Sequence, residues 1–452
     1  MEEIERESLF EQWKAQLKAR SFRALQAELG EANPVDVAEF MLELDQEQTV
    51  LVFRLLPKAV ASDVFSNLEP EDQQIIINAV TDKEVSELLE DLNVDDAVDM
   101  LEESPASVVR RVLKTARPDT RKLINQFLNY PENSVGSIMT AEFIDLQKDM
   151  TVKDAIERVR VVGEDSESIY TCYVIDDQRV LEGVVTLREL LMAHDVEVVG
   201  DIMETDVITA ETTEDQETAV QRMMKYDFIS LPVVDTEKRL VGITTVDDAM
   251  DVMEEEATED FEKMAAMAPS EKPYLKTGVF TLAKNRIVWL LVLMVSGMIT
   301  GSILGGFQDA ISAVPLLVTF IPMLTDTGGN AGSQSSTMVI RGLAVGELQL
   351  RDFAKVLWKE LRVSLIVGVL LSVINFVRLL ITNPGNAMVA LTVGLAMMVT
   401  VVLAKTIGSM LPMLAQKCHL DPTLMAAPLI TTIVDAVSLL VYFALAKRLL
   451  GI

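Results

Sequence analysis

The 452-residue chain is half hydrophobic and carries a formal net charge of −30, unevenly spread: the first 280 residues hold 27 basic and 62 acidic side chains, a net of −35, whereas from Thr281 onward 12 basic face 7 acidic. Such an acidic half repels nucleic acid and anionic lipid surfaces and attracts cations. Two cysteines (Cys172, Cys418) and two distant histidines (His194, His419) exclude a disulfide framework and a zinc or copper centre of the usual ligands, so any metal is expected to be hard and oxygen-bound.

The N-terminus, MEEIERESLFEQW, lacks the basic-then-apolar order of a secretory signal, and the acidic half is expected in the cytosol. Residues 1–130 alternate short apolar-periodic stretches, such as VDVAEFMLEL and EVSELLEDL, with loops containing Pro or Asn-Asp. They predict successive helical hairpins of a small superhelix. Asp91, Asp95, Asp99 and Glu103 repeat every four residues along one helical face. Like charges at this spacing disfavour a helix by a few tenths of a kcal/mol each, roughly.

Residues 131–245 contain an internal repeat. SIMTAEFIDLQKDMTVKDAI matches DIMETDVITAETTEDQETAV, with Met139 opposite Met203; YVIDDQRVLEGVVTLREL matches PVVDTEKRLVGITTVDDA, with Gly183 opposite Gly242. Each copy reads strand–helix–strand–strand–helix, with a turn at Asp176-Asp177 or Asp235-Thr236. The IMT/IME start, LPVVD and VGITT resemble a pair of CBS domains. That resemblance implies an adenine nucleotide such as ATP, with Tyr170 and Arg188 as contacts and Thr244 and Asp247 of TTVD as the one Ser/Thr-x-x-Asp element.

Residues 246–275 predict a long acidic connector helix, ending near Pro269 and Pro273, in which Asp247, Asp251, Glu255 and Glu259 form one stripe and Asp248, Glu256 and Asp260 another. A solvated face explains one such stripe; two facing each other would repel until divalent cations bridged them.

The rest, 276–452, is membrane. Residues 287–308 carry no charge, enough for a spanning helix, and further spans are expected near 310–338, 361–382, 387–413 and 423–446. Lys284 and Arg286 precede the first span, and Arg341, Arg351, Lys355, Lys359 and Arg362 fill the loop after the second. By the positive-inside rule the N-terminus is cytosolic and the C-terminus outside. Gly297, Gly301 and Gly305 form a helix-packing face. IPMLTDTGGNAGSQSSTMVIRG places Pro322, Asp326, Gly328, Gly329, Asn330 and Gly332 inside the second span. Here Pro322 should bend the helix, and the glycines serve close packing or an irregular backbone beside a water-filled cavity. Asp435 stands alone in the last span, where a carboxylate needs water, a partner helix or an ion. Thr431 and Thr432 add oxygens nearby. No phosphate-binding loop, phosphorylation motif or nucleophile–base pair appears, so the sequence predicts no enzyme and no ATP-driven pump. Carboxylates, an amide and carbonyl oxygens suit Mg²⁺ or Ca²⁺, and a single pore carboxylate suits Mg²⁺ keeping much of its hydration shell.

The whole order resembles MgtE-type magnesium channels: an all-α superhelical N-terminal domain, an α/β tandem CBS pair, a long acidic connector ("plug") helix and a five-helix transmembrane domain. PMLTDTGGNAGSQSSTMVIRGLA and PLITTIVDAVSLLVYF carry it most specifically. The resemblance implies a homodimer in the plasma (cell inner) membrane, in contact with lipid, with one ion path between subunits. It implies hydrated Mg²⁺ at Asp435, with the Thr431 backbone, Gly329 and Asn330 lining the same site. It also implies regulatory Mg²⁺ at Asp95, Asp99, Asp248, Asp251, Glu256 and Glu259. Ser438 stands where a Gly is common after the pore Asp. The expected function is a Mg²⁺-gated uptake channel; a proton- or sodium-coupled divalent-cation carrier and a non-conducting Mg²⁺ or nucleotide sensor are the alternatives.

Overall fold

The computed structural model describes residues 3–102, 104–164, 166–270, 274–275 and 277–452; Glu103 and Pro273 of the sequence reading lie outside them. The chain divides into two compact units, Met1–Met253 and Glu254–Ile452.

The first unit begins with short helices, from Glu3–Lys18 to Pro118–Phe127. Their starts follow from sequence. Asn33, Asp45 and Thr81 accept hydrogen bonds from first-turn backbone N–H groups, and Pro34, Pro70 and Pro118 occupy first-turn positions where no donor is lost. Helix Val94–Glu102 shows what this arrangement does for function. It buries Val94, Ala97, Val98, Met100 and Leu101 and turns Asp95, Asp96 and Asp99 away from that apolar face.

Two matching α/β modules follow. In the first, strand Phe143–Leu146 pairs parallel with Ser168–Ile175, which pairs antiparallel with Leu181–Thr186. In the second, Ala210–Glu211, Ser230–Val234 and Leu240–Thr245 repeat the order. Both predicted turns are closed by an aspartate: Asp176 accepts from the N–H groups of Gln178 and Val180, and Asp235 from those of Glu237 and Arg239. The modules exchange their opening segments. Met139 packs on Gly242 of the second copy and Met203 on Gly183 of the first; a β-carbon on either glycine would lie 2.8 Å from the sulfur. The repeated methionine and glycine are therefore reciprocal partners across a pseudo-twofold axis. The closing helix of the second module is the connector itself, Val246–Met264, and it ends sooner than the 275 predicted.

The second unit is built from long helices. Val279–Gly306, Leu350–Thr382, Ala387–Lys417 and Pro422–Leu450 are long and apolar enough to cross a membrane. The second predicted span differs from its expected form. Instead of one helix over 310–338 there is a short helix Gln308–Ala313, a 3-10 turn Pro315–Phe320 and then helix Ile321–Ala344, whose Asp, Asn, Ser and Gly residues keep it below the apolarity of the other four. Pro322 does not bend this helix. It sits in the first turn, where its missing N–H has no partner to lose.

Nor is the backbone irregular at Gly328–Asn330; it is continuous α-helix. The glycines serve close packing. A β-carbon on Gly328 would lie 2.7 Å from Thr400 Cγ2 and 2.9 Å from Val434 Cγ1, and one on Gly408 only 2.2 Å from the Gly332 carbonyl oxygen. A β-carbon on Gly297, Gly301 or Gly305 would meet no other part of the described residues within 4 Å.

Candidate metal sites

Two groups of oxygen ligands emerge, one in each unit. In the first unit, the amphipathicity of Val94–Glu102 presents Asp95 and Asp96 towards the start of the connector helix. There Asp248, in the first turn of the connector, accepts from the Thr245 hydroxyl at 2.7 Å and from the Thr245 backbone N–H at 3.3 Å. Glu142 accepts from the Thr140 hydroxyl at 2.6 Å, and Glu167 from the Asn93 side chain at 2.6 Å. Among the described residues, no Lys or Arg forms an ion pair with Asp95, Asp96, Glu142, Glu167, Asp247 or Asp248.

The result is a half-buried carboxylate cluster in which four carboxyls are pushed up. Burial, then Asp96, Asp248 and Glu142, push the Asp95 carboxyl well above the usual range. Burial and neighbouring carboxylates also raise Asp96 to about 6 and Glu167 to about 7. Burial raises Asp248 to about 6, against the hydrogen bonds from Thr245. Among the described residues, no three acidic side chains already converge on one point as a metal cage. Carboxylate oxygens are the ligand type that hard cations such as Mg²⁺ and Ca²⁺ take.

The structure brings Asp95 and Asp248 of the predicted regulatory set together and adds Asp96, Glu142 and Glu167, which the sequence reading missed. Glu142 and Glu167 lie in the first module, with no periodic relation to either stripe. Asp99 and Asp251 are exposed, and Asp251 contributes to the charge acting on Asp248. Glu256 is half-buried. Glu259 is held by Lys263 at 2.6 Å, and Lys263 also bonds Asp421 at 2.9 Å.

In the second unit, helices Ile321–Ala344 and Ala427–Leu450 pack antiparallel. Gly329 lies against Thr431, and Gly328 against Val434 and Ser438. Asp435 is half-buried at this level. Asn330 is exposed, and Asp326, four residues earlier on the same face, is exposed and within electrostatic reach of Asp435. The Thr431 and Thr432 hydroxyls donate to the Pro428 carbonyl at 2.9 and 3.0 Å. Their hydroxyl protons are thus turned back along their own helix. Ser438 is buried against Gly328.

The four residues proposed for a nucleotide divide between the modules. Tyr170 and Arg188 are exposed in the first; Thr244, fully buried, and Asp247 lie in the second. Asp247 adds its charge to the carboxylate cluster at Glu167. A cavity of about 500 Å³ in the first module, lined by Lys148, Asp149, Asp176, Asp177, Glu182 and Asp201 among others, includes none of the four.

An acidic helical domain, a CBS pair and a bundle of long apolar helices that also carries carboxylates fit a membrane transporter of divalent cations. Comparison with known proteins agrees. The profile described as "Divalent cation transporter" matches residues 321–445, that of the "MgtE intracellular N domain" residues 32–133, and that of the CBS domain residues 135–195 and 199–255. The magnesium transporter MgtE of Thermus thermophilus is 38% identical over 432 residues, 95% of each chain. That of Bacillus subtilis is 33% identical over 429 residues, 95% of this chain and 94% of its own. Among solved structures, the cytosolic domain of the Mg²⁺ channel MgtE in complex with ATP superposes with a TM-score of 0.51 at 38% identity, covering 53% of this chain and 98% of that one. The soluble part of a magnesium transporter gives 0.53 at 28% identity, covering 56% of this chain and 99% of that one. The chain belongs to the MgtE family of magnesium transporters.

Proposed function

We propose that the chain forms a homodimeric Mg²⁺ uptake channel of the plasma membrane, with the N-terminus cytosolic and the C-terminus outside. Internal Mg²⁺ closes it by binding among the cytosolic carboxylates. Asp435, with Asn330 and the backbone at Gly329 and Thr431, is the hydrated-ion site of the pore, and Asp326 extends it one helical turn further out. The negative interior potential supplies about 4.6 kcal/mol per 100 mV for a divalent ion, twice the single-charge value, so no pump chemistry is required.

The observation that carries the gating half is the half-buried cluster of Asp95, Asp96, Glu142, Glu167 and Asp248. At neutral pH and without a cation it favours separation of the helical domain, the CBS pair and the connector; bound Mg²⁺ reverses that preference. Closure is then a population shift set by differential binding. Asp99, Asp251, Glu256 and Glu259 belong to the same acidic surfaces. ATP is assigned to the CBS pair through Tyr170, Arg188, Thr244 and Asp247, as the likeness to the ATP-bound cytosolic domain suggests.

The test is Mg²⁺ flux into liposomes containing the purified full-length protein, wild type beside Asp435→Ala, at low and high Mg²⁺ on the cytosolic face. Flux in the wild type that high Mg²⁺ suppresses, with none in a folded Asp435→Ala dimer, is the expected result. Equal flux in both would make Asp435 structural. No flux in either would leave a sensor rather than a channel.

A further inference from the structure

Helix Ala387–Lys417 contains one charged residue well inside the membrane bundle, Lys405, which is 5% exposed. Its ammonium donates to the Ser335 hydroxyl at 3.1 Å, and that hydroxyl donates to a Glu360 carboxylate oxygen at 2.7 Å. Three helices meet in this relay: Ser335 comes from Ile321–Ala344, Glu360 from Phe353–Thr382 and Lys405 from Ala387–Lys417. An isolated cation at such a place is costly, and the opposite charge across one hydroxyl offsets that cost.

Position gives the relay its meaning. It lies beside the tightest crossing of the bundle, where Gly332 meets the Ala404 carbonyl and Gly408. A glycine crossing sets how close two helices come; the relay adds a directional side-chain link beside it. At about 100° per residue, Ser335 lies nine residues and roughly half a turn of azimuth beyond Asp326. The relay thus grips the helix from the side opposite Asp326 and Asn330.

We propose that Lys405, Ser335 and Glu360 form a buried ionic clasp that sets the rotation of helix Ile321–Ala344, making Lys405 and Glu360 positioning residues for cation selectivity. The functional effect rests on the pore reading above. The physical coupling of the two charges does not.

The clasp predicts an asymmetric double-mutant cycle. Glu360→Gln leaves the Lys405 charge buried without its counter-ion. Lys405→Met leaves only the half-buried Glu360 carboxylate. The double variant removes both charges and leaves neither uncompensated. Full-length protein is reconstituted in phosphatidylethanolamine–phosphatidylglycerol vesicles, and Mg²⁺ flux per folded protein and the Mg²⁺/Na⁺ permeability ratio are read; melting in detergent is read in parallel. Glu360→Gln should lower flux at least about tenfold, Lys405→Met less, and the double variant should return to within about threefold of wild type. Ser335→Ala, which keeps both charges, should fold normally and lower the Mg²⁺/Na⁺ ratio. Additive losses in the cycle, or single variants with wild-type flux and selectivity, would overturn the clasp. If Glu360→Gln does not fold, an unchanged permeability ratio in Ser335→Ala overturns it. Should wild-type vesicles conduct no Mg²⁺, the pore reading falls, and the clasp is still decided by whether the melting temperatures are non-additive.

Discussion

Asp435 and Asp326 face one another's charge in a place where neither has a cationic side chain to answer it among the described ion pairs. On the proposed pore reading, two carboxylates on one surface raise the local concentration of cations, and this effect weakens as salt screens it. Replacing Asp326 by Asn should therefore raise the external Mg²⁺ needed for half-maximal flux by about two- to tenfold at low ionic strength, with little change at saturation. An unchanged concentration dependence would remove Asp326 from the pore. Gly328 makes a different prediction. Its missing β-carbon is the space occupied by Thr400 and Val434, so Gly328→Ala should destabilise the bundle by about 1–3 kcal/mol, read as a lower melting temperature in detergent. A Gly-Gly-Asn run looks the same in sequence whether the backbone breaks or two helices touch. Only packing separates the two, and here the helix is continuous. Asp435 stood out from sequence because a lone charge interrupts a long apolar run. Lys405 interrupts one too, but its meaning depends on Ser335 and Glu360, 70 and 45 residues away, which no periodicity connects.

At the scale of elements, the apolar runs made four spanning helices legible, while the start of the remaining one depended on where Pro315 and Pro322 fall within their turns. The connector helix was legible as acidic and helical, but its far end holds a contact with no sequence signature. Lys263 bridges Glu259 on its own helix to Asp421, which caps the turn Pro422–Met425 leading into the Asp435 helix. The Ser336 hydroxyl then donates to the Met425 carbonyl at 2.8 Å, tying that turn to the helix that carries Asn330. The ammonium thus links the connector to the helices that carry Asp435 and Asn330. Its partners are partly exposed, so the pair contributes about 0.5–1 kcal/mol after screening. Lys263→Met should accordingly shift the internal Mg²⁺ required for half-closure upward by about two- to fivefold. Dose–response curves of flux against internal Mg²⁺ that superimpose for variant and wild type would remove this link from gating.

At the scale of the whole molecule, the sequence places a net charge of −35 in residues 1–280, and the structure gathers part of it in a half-buried cluster. Burial and neighbouring carboxylates push up Asp95, Asp96, Glu167 and Asp248, and the direction of the resulting pH dependence is fixed. The folded arrangement raises the carboxyl pKa values of Asp95, Asp96, Asp248 and Glu167 above those of the separated groups, near 4. Their contribution to stability is therefore fully present below about pH 4 and is lost as pH rises through 6 to 7, where Asp96, Asp248 and Glu167 ionise. Mg²⁺ can only replace protons that have left. In chelator, the melting temperature of the full-length protein should rise as pH falls from 8 to about 5.5. Added Mg²⁺ should raise it most at pH 8 and progressively less towards pH 5.5. In Asp95→Asn/Asp248→Asn, both the proton effect and the Mg²⁺ effect should shrink together, because both act on the same carboxylates. A Mg²⁺ increment that stays constant across this range, or that survives the double substitution, would mean that the ion closes the molecule from another place on its acidic surface.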